Sequence, residues 1–364
     1  PEASAIVNRG KVLLRDVEVE GYRMAIEDQT RKVQLTDRQI ASYATDHFSL
    51  QTPPPPPLRL PIEETPEFHS QRLEDGFSVV AMGATPDDPT DDDGPPIQRA
   101  IDSGHPMVYL PRGAYHVRSP VVIRGPTRKI MGFQSSLGAV KGVEVEPLLR
   151  FEGAGEAVTI LEHLWLDGVV EHAGTGTLVI RHCDLPKGYR NTSAGRGKLF
   201  VEDVIGRFVI AYPQRAWFRQ LNTEFGDVPL FENHGGTVWI LGFKTEGQMV
   251  CIHQTAGQLE LMGALLYPLR PPPADRAAFV LDGGEATLSY RMNYSDYPIH
   301  VAYRVGDTIV AFRKGTGQAH GPALFTADSK TPISPEKNDG EALSAPLREK
   351  TQHLDPHSDS AATP

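Results

Sequence analysis

A short apolar strand closed by a turn recurs along the middle of this chain, and this repeat restricts the folds available to it. The segments begin at residues 158, 178, 199, 217, 238, 259 and 286, so successive starts are 20, 21, 18, 21, 21 and 27 residues apart. A repeat of this size cannot bury its apolar face alone and must stack on its neighbours, as in a solenoid. Because no unit contains a ten-residue helical stretch, we expect an all-β fold, a parallel β-helix, rather than a helical or leucine-rich repeat.

Changes in composition divide the 364 residues into four segments. Residues 1–50 start abruptly as short strands, and we expect them to be the C-terminal remnant of an upstream β-helix domain. Residues 51–75 contain five consecutive prolines and predict an extended, semi-rigid linker. Residues 76–328 should form the parallel β-helix domain. Residues 329–364 are rich in proline, serine and charged residues, which predicts a disordered tail.

Charge and apolar patterning exclude several classes of protein. The formal net charge of −10 argues against nucleic-acid binding, which needs a basic surface. No run of eighteen apolar residues is present, so no membrane span is expected. No signal peptide is present in this chain, which starts at Pro1 and has either lost one or never included it. Cys183 and Cys251 lack metal-ligand spacing and should be buried apolar side chains, and no cofactor is expected.

The segment from residue 77 to residue 117 carries the most specific motifs. They are Gly83-Ala84, Thr90-Asp91-Asp92, Ile97-Gln98-Arg99-Ala100-Ile101 and Val108-Tyr109-Leu110-Pro111-Arg112-Gly113-Ala114-Tyr115. Together they resemble the opening of the pectate-lyase-like, right-handed parallel β-helix superfamily, in which a short capping helix precedes a pair of strands. With the preceding strands and proline linker, the layout is similar to that of glycoside hydrolase family 55, whose members are secreted, inverting exo-β-1,3-glucanases with two tandem β-helices, and to its uncharacterised bacterial relatives.

This resemblance implies a secreted, extracellular or periplasmic glycoside hydrolase that cleaves β-1,3-glucan or a related polysaccharide by carboxylate acid and base catalysis. The alternative from a different class is a non-catalytic glycan-binding or structural β-helix, such as an adhesin or a tailspike. A polysaccharide lyase is the third possibility, although Arg270 and Arg276 miss the pectate-lyase spacing by one residue. The expected partners are a polysaccharide or oligosaccharide and the upstream β-helix domain.

Two glutamates at the same phase of neighbouring repeats are the expected catalytic pair. Aligning the repeats at an offset of 22 residues places Trp217 over Trp239 and Glu224 over Glu246. Adjacent parallel strands lie about 4.8 Å apart, and like charges at that distance raise one pKa, as a general acid requires. We expect Glu246 to be the acid and Glu224 its partner. A solvated ladder of Thr-Glu turns is the structural alternative.

Further side chains on these repeats are candidates for contacts with a sugar. Asp203 and Asp227 are the alternatives for positioning a water molecule. For Trp217 the pattern favours a core or groove-floor position over a sugar platform, whereas Asn222 is equally consistent with an internal turn ladder. The expected substrate-binding residues are Gln220, Asn222, Lys244, Tyr267, Trp217 and Arg219.

No metal site is expected. Four histidines fall on different repeats without metal-ligand spacing and should be surface or hydrogen-bonded side chains: His163, His182, His234 and His253. Five aspartates precede the predicted helix, and we assign them to its N-terminus, where the helix dipole favours negative charge, rather than to calcium: Asp87, Asp88, Asp91, Asp92 and Asp93.

Overall fold

A computed structural model describes residues 3–69, 76–224, 226, 228–293, 295–305, 308–313 and 320–333. Across these residues the structure is almost entirely β, with a single α-helix and one large sheet of 20 strands. Within the same residues, no helix has the length and the apolar character needed to cross a membrane. The expected all-β class is therefore confirmed.

The N-terminal segment forms two small sheets with a core of their own. Its strands are β1 (Ser4–Asn8), β2 (Leu13–Glu18), β3 (Met24–Asp28), β4 (Val33–Leu35), β5 (Gln39–Ala44) and β6 (His47–Phe48). Strand β3 pairs with β1 in parallel and with β4 antiparallel, while β2 pairs antiparallel with β5. Leu14, Ile26 and Ile40 are buried in the core between them. The origin of this segment in an upstream domain stays a prediction.

The capping helix and strand pair form where the motifs predict them. Strand β7 (Phe77–Ser78) and one 3-10 turn precede helix α1 (Gly94–Asp102), which is followed by β8 (Met107–Leu110) and β9 (Gly113–Val117). Prolines lie in the first turn of α1, where no backbone donor is needed. Ile97, Ala100 and Ile101 are buried, as their spacing predicts.

Every predicted repeat contains a strand. The strands of this region are β10 (Val121–Ile123), β11 (Lys129–Ala139), β12 (Leu149–Phe151), β13 (Val158–Asp167), β14 (Val170–His172), β15 (Thr177–Arg181), β16 (Asp184–Asn191), β17 (Leu199–Ile210), β18 (Arg215–Asn222), β19 (Phe231–Thr245), β20 (Ile252–Leu266), β21 (Ala277–Leu281), β22 (Glu285–Met292), β23 (Ile299–Val305), β24 (Thr308–Arg313) and β25 (Leu324–Asp328). Strand β25 pairs antiparallel with β22 and parallel with β6, so it links the N-terminal segment to the large sheet.

Neighbouring repeats pair in parallel and in register. Trp217 pairs with Trp239, and Asn222 pairs with Lys244, which confirms the expected offset of 22 residues. Two ladders matter for the site. The first ladder joins β8, the first halves of β11 and β13, β15, and the matching parts of β17 to β20 and β22. The second ladder joins β9 to the C-terminal parts of β11, β13, β17 to β20 and β22, with the start of β16.

A column of left-handed residues separates the two ladders. One residue in each successive repeat belongs to it, five non-glycine residues with φ between 50° and 59° followed by two glycines: Gln134, His163, His182, Asp203, Gln220, Gly242 and Gly263. Left-handed backbone is uncommon for residues with a Cβ, although Asp and His adopt it more readily than most. The bend turns the chain sharply, and the five non-glycine side chains are all exposed.

Buried amides line another turn inside the structure. Asn233 is fully buried, accepts a hydrogen bond from the Gly236 nitrogen at 2.7 Å and donates to Gln254. Asn191 links its turn to the next repeat, accepting from the Ala211 nitrogen at 2.8 Å and donating to the Tyr212 carbonyl at 3.1 Å. Asn222 belongs to the second ladder, so its alternative role in an internal turn ladder is wrong; Asn191, Asn233 and Gln254 fill that role.

Residues 55–68, called the strap here, cross the outer surface of the first ladder. The Leu58 nitrogen donates to Thr287 on β22, and the Leu60 nitrogen donates to Glu260 on β20 at 2.6 Å. At the far end, Arg128, just before β11, lies 5.0 Å from the centroid of the Phe68 ring. The proline-rich segment is extended as expected, but it does not act as a spacer because it is held against the sheet.

The length of the strap matches the surface that it crosses. The 13 steps from residue 55 to residue 68 extend about 40 Å in a polyproline conformation. Crossing from β25 to β11 takes eight strand spacings, or about 38 Å. One or two residues of the strap therefore lie over each strand that it crosses.

The C-terminal boundary lies later than predicted. Ile333 forms an isolated bridge with Gln51, and the Ser329 nitrogen donates to the Gly284 carbonyl at 3.1 Å. Residues 329–333 are therefore part of the folded structure. The remainder of the predicted disordered tail, residues 334–364, lies outside the described residues.

Candidate functional site

The expected catalytic glutamates are brought together, with a lysine between them. The Lys244 ammonium donates to Glu224 and also to Glu246, the latter at 2.7 Å, and the Tyr267 hydroxyl donates to the same Glu246 oxygen at 2.7 Å. The side chains of Glu224, Lys244 and Glu246 are each about one third exposed. The structure thus confirms that these residues are neighbours in space.

The electrostatics of this cluster oppose the expected role of Glu246. Its hydrogen bonds from Lys244 and then Tyr267 lower the pKa of Glu246, because both donors favour the ionised carboxylate. Burial works against the charge on Lys244, but its bonds to the two glutamates outweigh burial and raise its pKa. The expected rise in the pKa of Glu246 is therefore wrong, since a cation now lies between the two carboxylates.

The strap covers two of the expected sugar-binding residues. Trp217 is only 3% exposed and donates its indole N–H to the Pro61 carbonyl at 2.9 Å. Arg219 donates to the Glu63 carbonyl at 2.7 Å and to Thr65, and its guanidinium lies over the Trp239 ring. Both side chains belong to the first ladder and are occupied by the strap, so neither is placed to hold a sugar.

The other expected residues lie on the uncovered side. Gln220 is exposed at the left-handed bend, and Asn222 is partly buried on the second ladder. Lys244 follows Asn222 in the same outward column, two residues before Glu246. Asp227 lies outside the described residues. Asp203, the other residue considered for positioning water, is exposed at the bend, 21 residues after His182.

The second ladder carries a cleft that contains none of the expected catalytic residues. Its volume is about 780 Å³, within the range of small-molecule sites. It is lined by Asp87 and Arg112 at one end and by side chains of successive strands: Gln134, Ser136, His163, Trp165, His182 and Asp184. Ser136, Trp165 and Asp184 are direct neighbours in one outward column of the second ladder.

An indole, a carboxyl group and two histidines meet in this cleft, and one of these histidines is bonded to an aspartate outside its lining. Trp165 is 47% exposed, although it is large and apolar, and its strand neighbour is Asp184. His182 makes a hydrogen bond between its Nδ1 and Asp203 Oδ2 at 3.1 Å. The His163 ring stacks on the His182 ring with a centroid separation of 5.0 Å, which fixes the plane of that imidazole.

Asp184 has the electrostatic property that was expected of Glu246. Burial raises the pKa of the Asp184 carboxyl, and the negative charge of Asp203 adds to the rise. The two aspartates therefore differ in environment: Asp184 is partly buried, whereas Asp203 is 74% exposed and bonded to an imidazole. Carboxyl groups in unlike environments can take the separate roles of proton donor and proton acceptor.

The remaining polar clusters have structural partners. His234 contacts Glu232 at 3.1 Å and His253 contacts Asp282 at 2.9 Å, as expected for hydrogen-bonded histidines. Both cysteines are buried, as predicted. Within the described ranges, no group of three or more His, Cys, Asp or Glu side chains is arranged to hold a metal ion.

The aspartates before α1 fasten the loop to strand β9 more than they cap the helix. Asp93 directly precedes α1, but its carboxylate accepts from the Thr85 and His116 nitrogens at 2.7 and 2.9 Å. Asp87 accepts from the Ala114 nitrogen at 2.9 Å. Asp92 accepts from the Gly94 nitrogen at 3.0 Å, at the first residue of α1, so the expected position at the helix N-terminus stands and the bonds to the loop and strand add to it.

The sequence contains a pattern that predicts the cleft, although it is less evident than the repeated glutamates. His163, His182 and Asp203 recur at the repeat period, and that periodicity alone predicts that their side chains form a column. Trp165 and Asp184 each follow a histidine by two residues, which places them in the next column on the same side. No protein-family model matches this chain, and a comparison with curated proteins finds no match.

Proposed function

We propose that the chain winds as a right-handed parallel β-helix and acts as a secreted glycoside hydrolase on a polysaccharide. The winding is supported by parallel, in-register ladders that join each repeat to the next over nine strands of the first ladder. Consecutive strands of a solenoid lie side by side, so a groove on one ladder crosses several repeats, and the cleft is lined by residues from Arg112 to Asp184 on successive strands. Such a groove suits a polymer substrate.

The observation that carries the reaction is the exposed Trp165 indole directly beside the Asp184 carboxyl in the cleft of the second ladder. Aromatic faces bind the apolar faces of sugar rings, and the Trp165 indole lines the cleft beside a carboxyl group, where a sugar ring can stack on it. A sugar stacked on Trp165 would present its glycosidic oxygen to the neighbouring strand. Asp184 would then protonate that oxygen.

Hydrolysis in this cleft requires one proton donor and one acceptor. Asp184 gives its proton to the leaving glycosidic oxygen as the bond from the anomeric carbon to that oxygen breaks. Asp203 takes a proton from the water that attacks the anomeric carbon, and His182 holds Asp203 in place through the bond at 3.1 Å. The two carboxyl groups then exchange one proton through solvent, which restores the starting state.

The glutamate–lysine cluster serves as an outer part of the same groove. Asn222 and Lys244 continue the column of Trp165 and Asp184, separated from Asp184 by Ile205. Lys244, Glu246 and Tyr267 offer hydrogen bonds to sugar hydroxyls there, while the lowered pKa of Glu246 disfavours it as a proton donor. This retains the expected binding roles of Gln220, Asn222, Lys244 and Tyr267 and transfers the catalytic role to Asp184 and Asp203.

The test is a comparison of reducing-sugar release by matched variants. Neutral and uronate-containing polysaccharides, β-1,3-glucan included, are incubated with wild type, Asp184→Asn and Glu246→Gln. We expect Asp184→Asn to lose about 10² to 10⁴-fold in rate and Glu246→Gln to lose far less. Both exchanges preserve shape, so circular dichroism should show folded protein in each case.

Two results would contradict the proposed roles. If Glu246→Gln lost the larger share of activity, the catalytic site would belong to the glutamate pair. If no polysaccharide were cleaved but one bound saturably, with the Trp165 fluorescence responding, the protein would be a glycan-binding β-helix instead.

A further inference from the structure

A second cavity lies where the N-terminal segment meets the end of the second ladder. Its volume is about 710 Å³. It is lined on one side by Lys11 and Arg31 and on the other by Arg291 and His320, and Asp46 is the single carboxylate among the described lining residues. This cavity is called the basic pocket below.

Two of the cations in the basic pocket form no ion pair with the residues that the structure describes. Lys11 is held by Asp46 at 3.2 Å and by the Gly321 carbonyl at 2.6 Å. Arg31 and Arg291 are exposed and form no ion pair with any residue that the structure describes. In a chain with a net charge of −10, two such guanidinium groups lining one cavity make its surface locally positive. Guanidinium groups bind carboxylates with paired hydrogen bonds, so this surface suits an anionic ligand.

The rest of the lining leaves room for a ring that carries hydroxyl groups. Small residues form much of the wall, including Gly10, Gly263 and Ala264, and Thr30 and Ser289 add hydroxyl groups. The pocket therefore combines space, hydroxyl groups and cations. An inorganic ion would need only the cations.

The basic pocket is in line with the cleft. Arg291 pairs with Leu265, and Leu265 pairs with Lys244, so Arg291 belongs to the outward column that contains Asp184. Five strand spacings separate Asp184 from Arg291, which is about 24 Å. A single extended saccharide chain can span that distance along the groove.

We propose that the basic pocket binds the carboxylate of a uronic acid residue, so that the substrate of the cleft is an acidic polysaccharide. This inference rests on the proposed function for the chain that links the two sites, but the pocket has its own charges and its own binding assay. Arg291 and Arg31 grip the carboxylate, and the hydroxyl groups of Thr30 and Ser289 contact the ring. Cleavage still takes place at Asp184.

The test uses two oligosaccharides that differ only in charge. Cello-oligosaccharides and their counterparts oxidised to glucuronate at C6, of equal length, are titrated calorimetrically into wild type, Arg291→Gln and Arg31→Gln. Arg23→Gln is the matched control, because Arg23 is exposed and lines neither cavity. Inorganic phosphate is titrated as a third ligand.

We expect wild type and Arg23→Gln to bind the acidic oligosaccharide at least about tenfold more tightly than the neutral one. Arg291→Gln should bind the acidic oligosaccharide roughly tenfold or more weakly than wild type, with its affinity for the neutral one unchanged. Arg31→Gln should also bind the acidic oligosaccharide more weakly. Added salt should weaken binding of the acidic oligosaccharide only. Equal affinity for both oligosaccharides, or no effect of Arg291→Gln, would overturn the proposal. Phosphate binding that depends on Arg291 without a preference for the acidic sugar would also overturn it and leave a small-oxyanion site.

The binding assay separates this inference from the proposed reaction. A preference for the acidic sugar without any hydrolysis would keep the basic pocket and remove the hydrolase. Hydrolysis of neutral and acidic polymers at equal rates would keep the hydrolase and remove the basic pocket.

Discussion

Truncation of Leu60 tests whether the strap is docked on the first ladder. Leu60 is 5% exposed and belongs to one apolar cluster with Phe200, Trp217 and Trp239. Leu60→Ala removes three buried carbons, which is about 2.4 kcal/mol of transfer free energy at about 0.8 kcal/mol each, before the cost of the cavity. We therefore expect the free energy of unfolding to fall by about 2 to 4 kcal/mol, measured by urea unfolding. If the strap detaches locally instead of leaving a cavity, the free energy of unfolding should fall by an amount at the lower end of this range.

The matched control is Leu269→Ala, at a leucine that is 66% exposed, and it should change stability by less than about 0.5 kcal/mol. Acrylamide quenching gives an independent reading, because Trp217 and Trp239 are covered whereas Trp165 is exposed. Leu60→Ala should increase the quenchable fraction if the strap loosens. A loss no larger than that of Leu269→Ala would refute a docked strap, and Trp217 would again be a candidate to bind sugar.

The pKa shifts of Asp184 and Glu246 and the buried amide of Asn233 can each be tested by one substitution. The pKa of Asp184 is raised in the folded state, so its stabilising contribution is complete below its unfolded pKa and is lost as pH rises through the folded pKa. In urea unfolding, Asp184→Asn should therefore be more stable than wild type at pH 7 and equal to it near about pH 3. A variant that is less stable than wild type at pH 7 would contradict the raised pKa. Lys244→Met should raise the pKa of Glu246 in a carbon-13 NMR titration, and an unchanged titration would show that the ammonium does not contact it. Asn233→Ala should lower the free energy of unfolding by about 2 kcal/mol or more, because it leaves buried backbone groups unpaired. Asn222→Ala should lower it clearly less, and equal losses would contradict the placement of the buried amides.

Strand repeats and their register could be derived from the sequence because apolar periodicity encodes them directly. The pairing of Trp217 with Trp239 follows from an offset that any observer of the sequence can count. The salt bridge of Lys244 could also have been foreseen. Residues two apart on a strand point to the same side, so Lys244 had to lie beside Glu246 and lower its pKa.

Contacts made across long sequence separations could not be derived. The strap is a proline-rich segment without internal hydrogen bonds, so its sequence carries no sign of its partners. Leu60 bonds to Glu260, 200 residues away, and Trp217 bonds to Pro61, 156 residues away. The basic pocket likewise joins Arg31 to Arg291 through the packing of two segments whose relation the periodicity does not describe.

The central claim is that sugar binds on the second ladder, with its scissile bond at Asp184. A crystal structure of Asp184→Asn with an oligosaccharide that the wild type cleaves tests this most directly. We expect a sugar ring against the Trp165 indole and the glycosidic oxygen within about 3.2 Å of the side chain at position 184. A sugar bound between Glu224 and Glu246 with the cleft empty, or one bound to the first ladder in place of the strap, would contradict it.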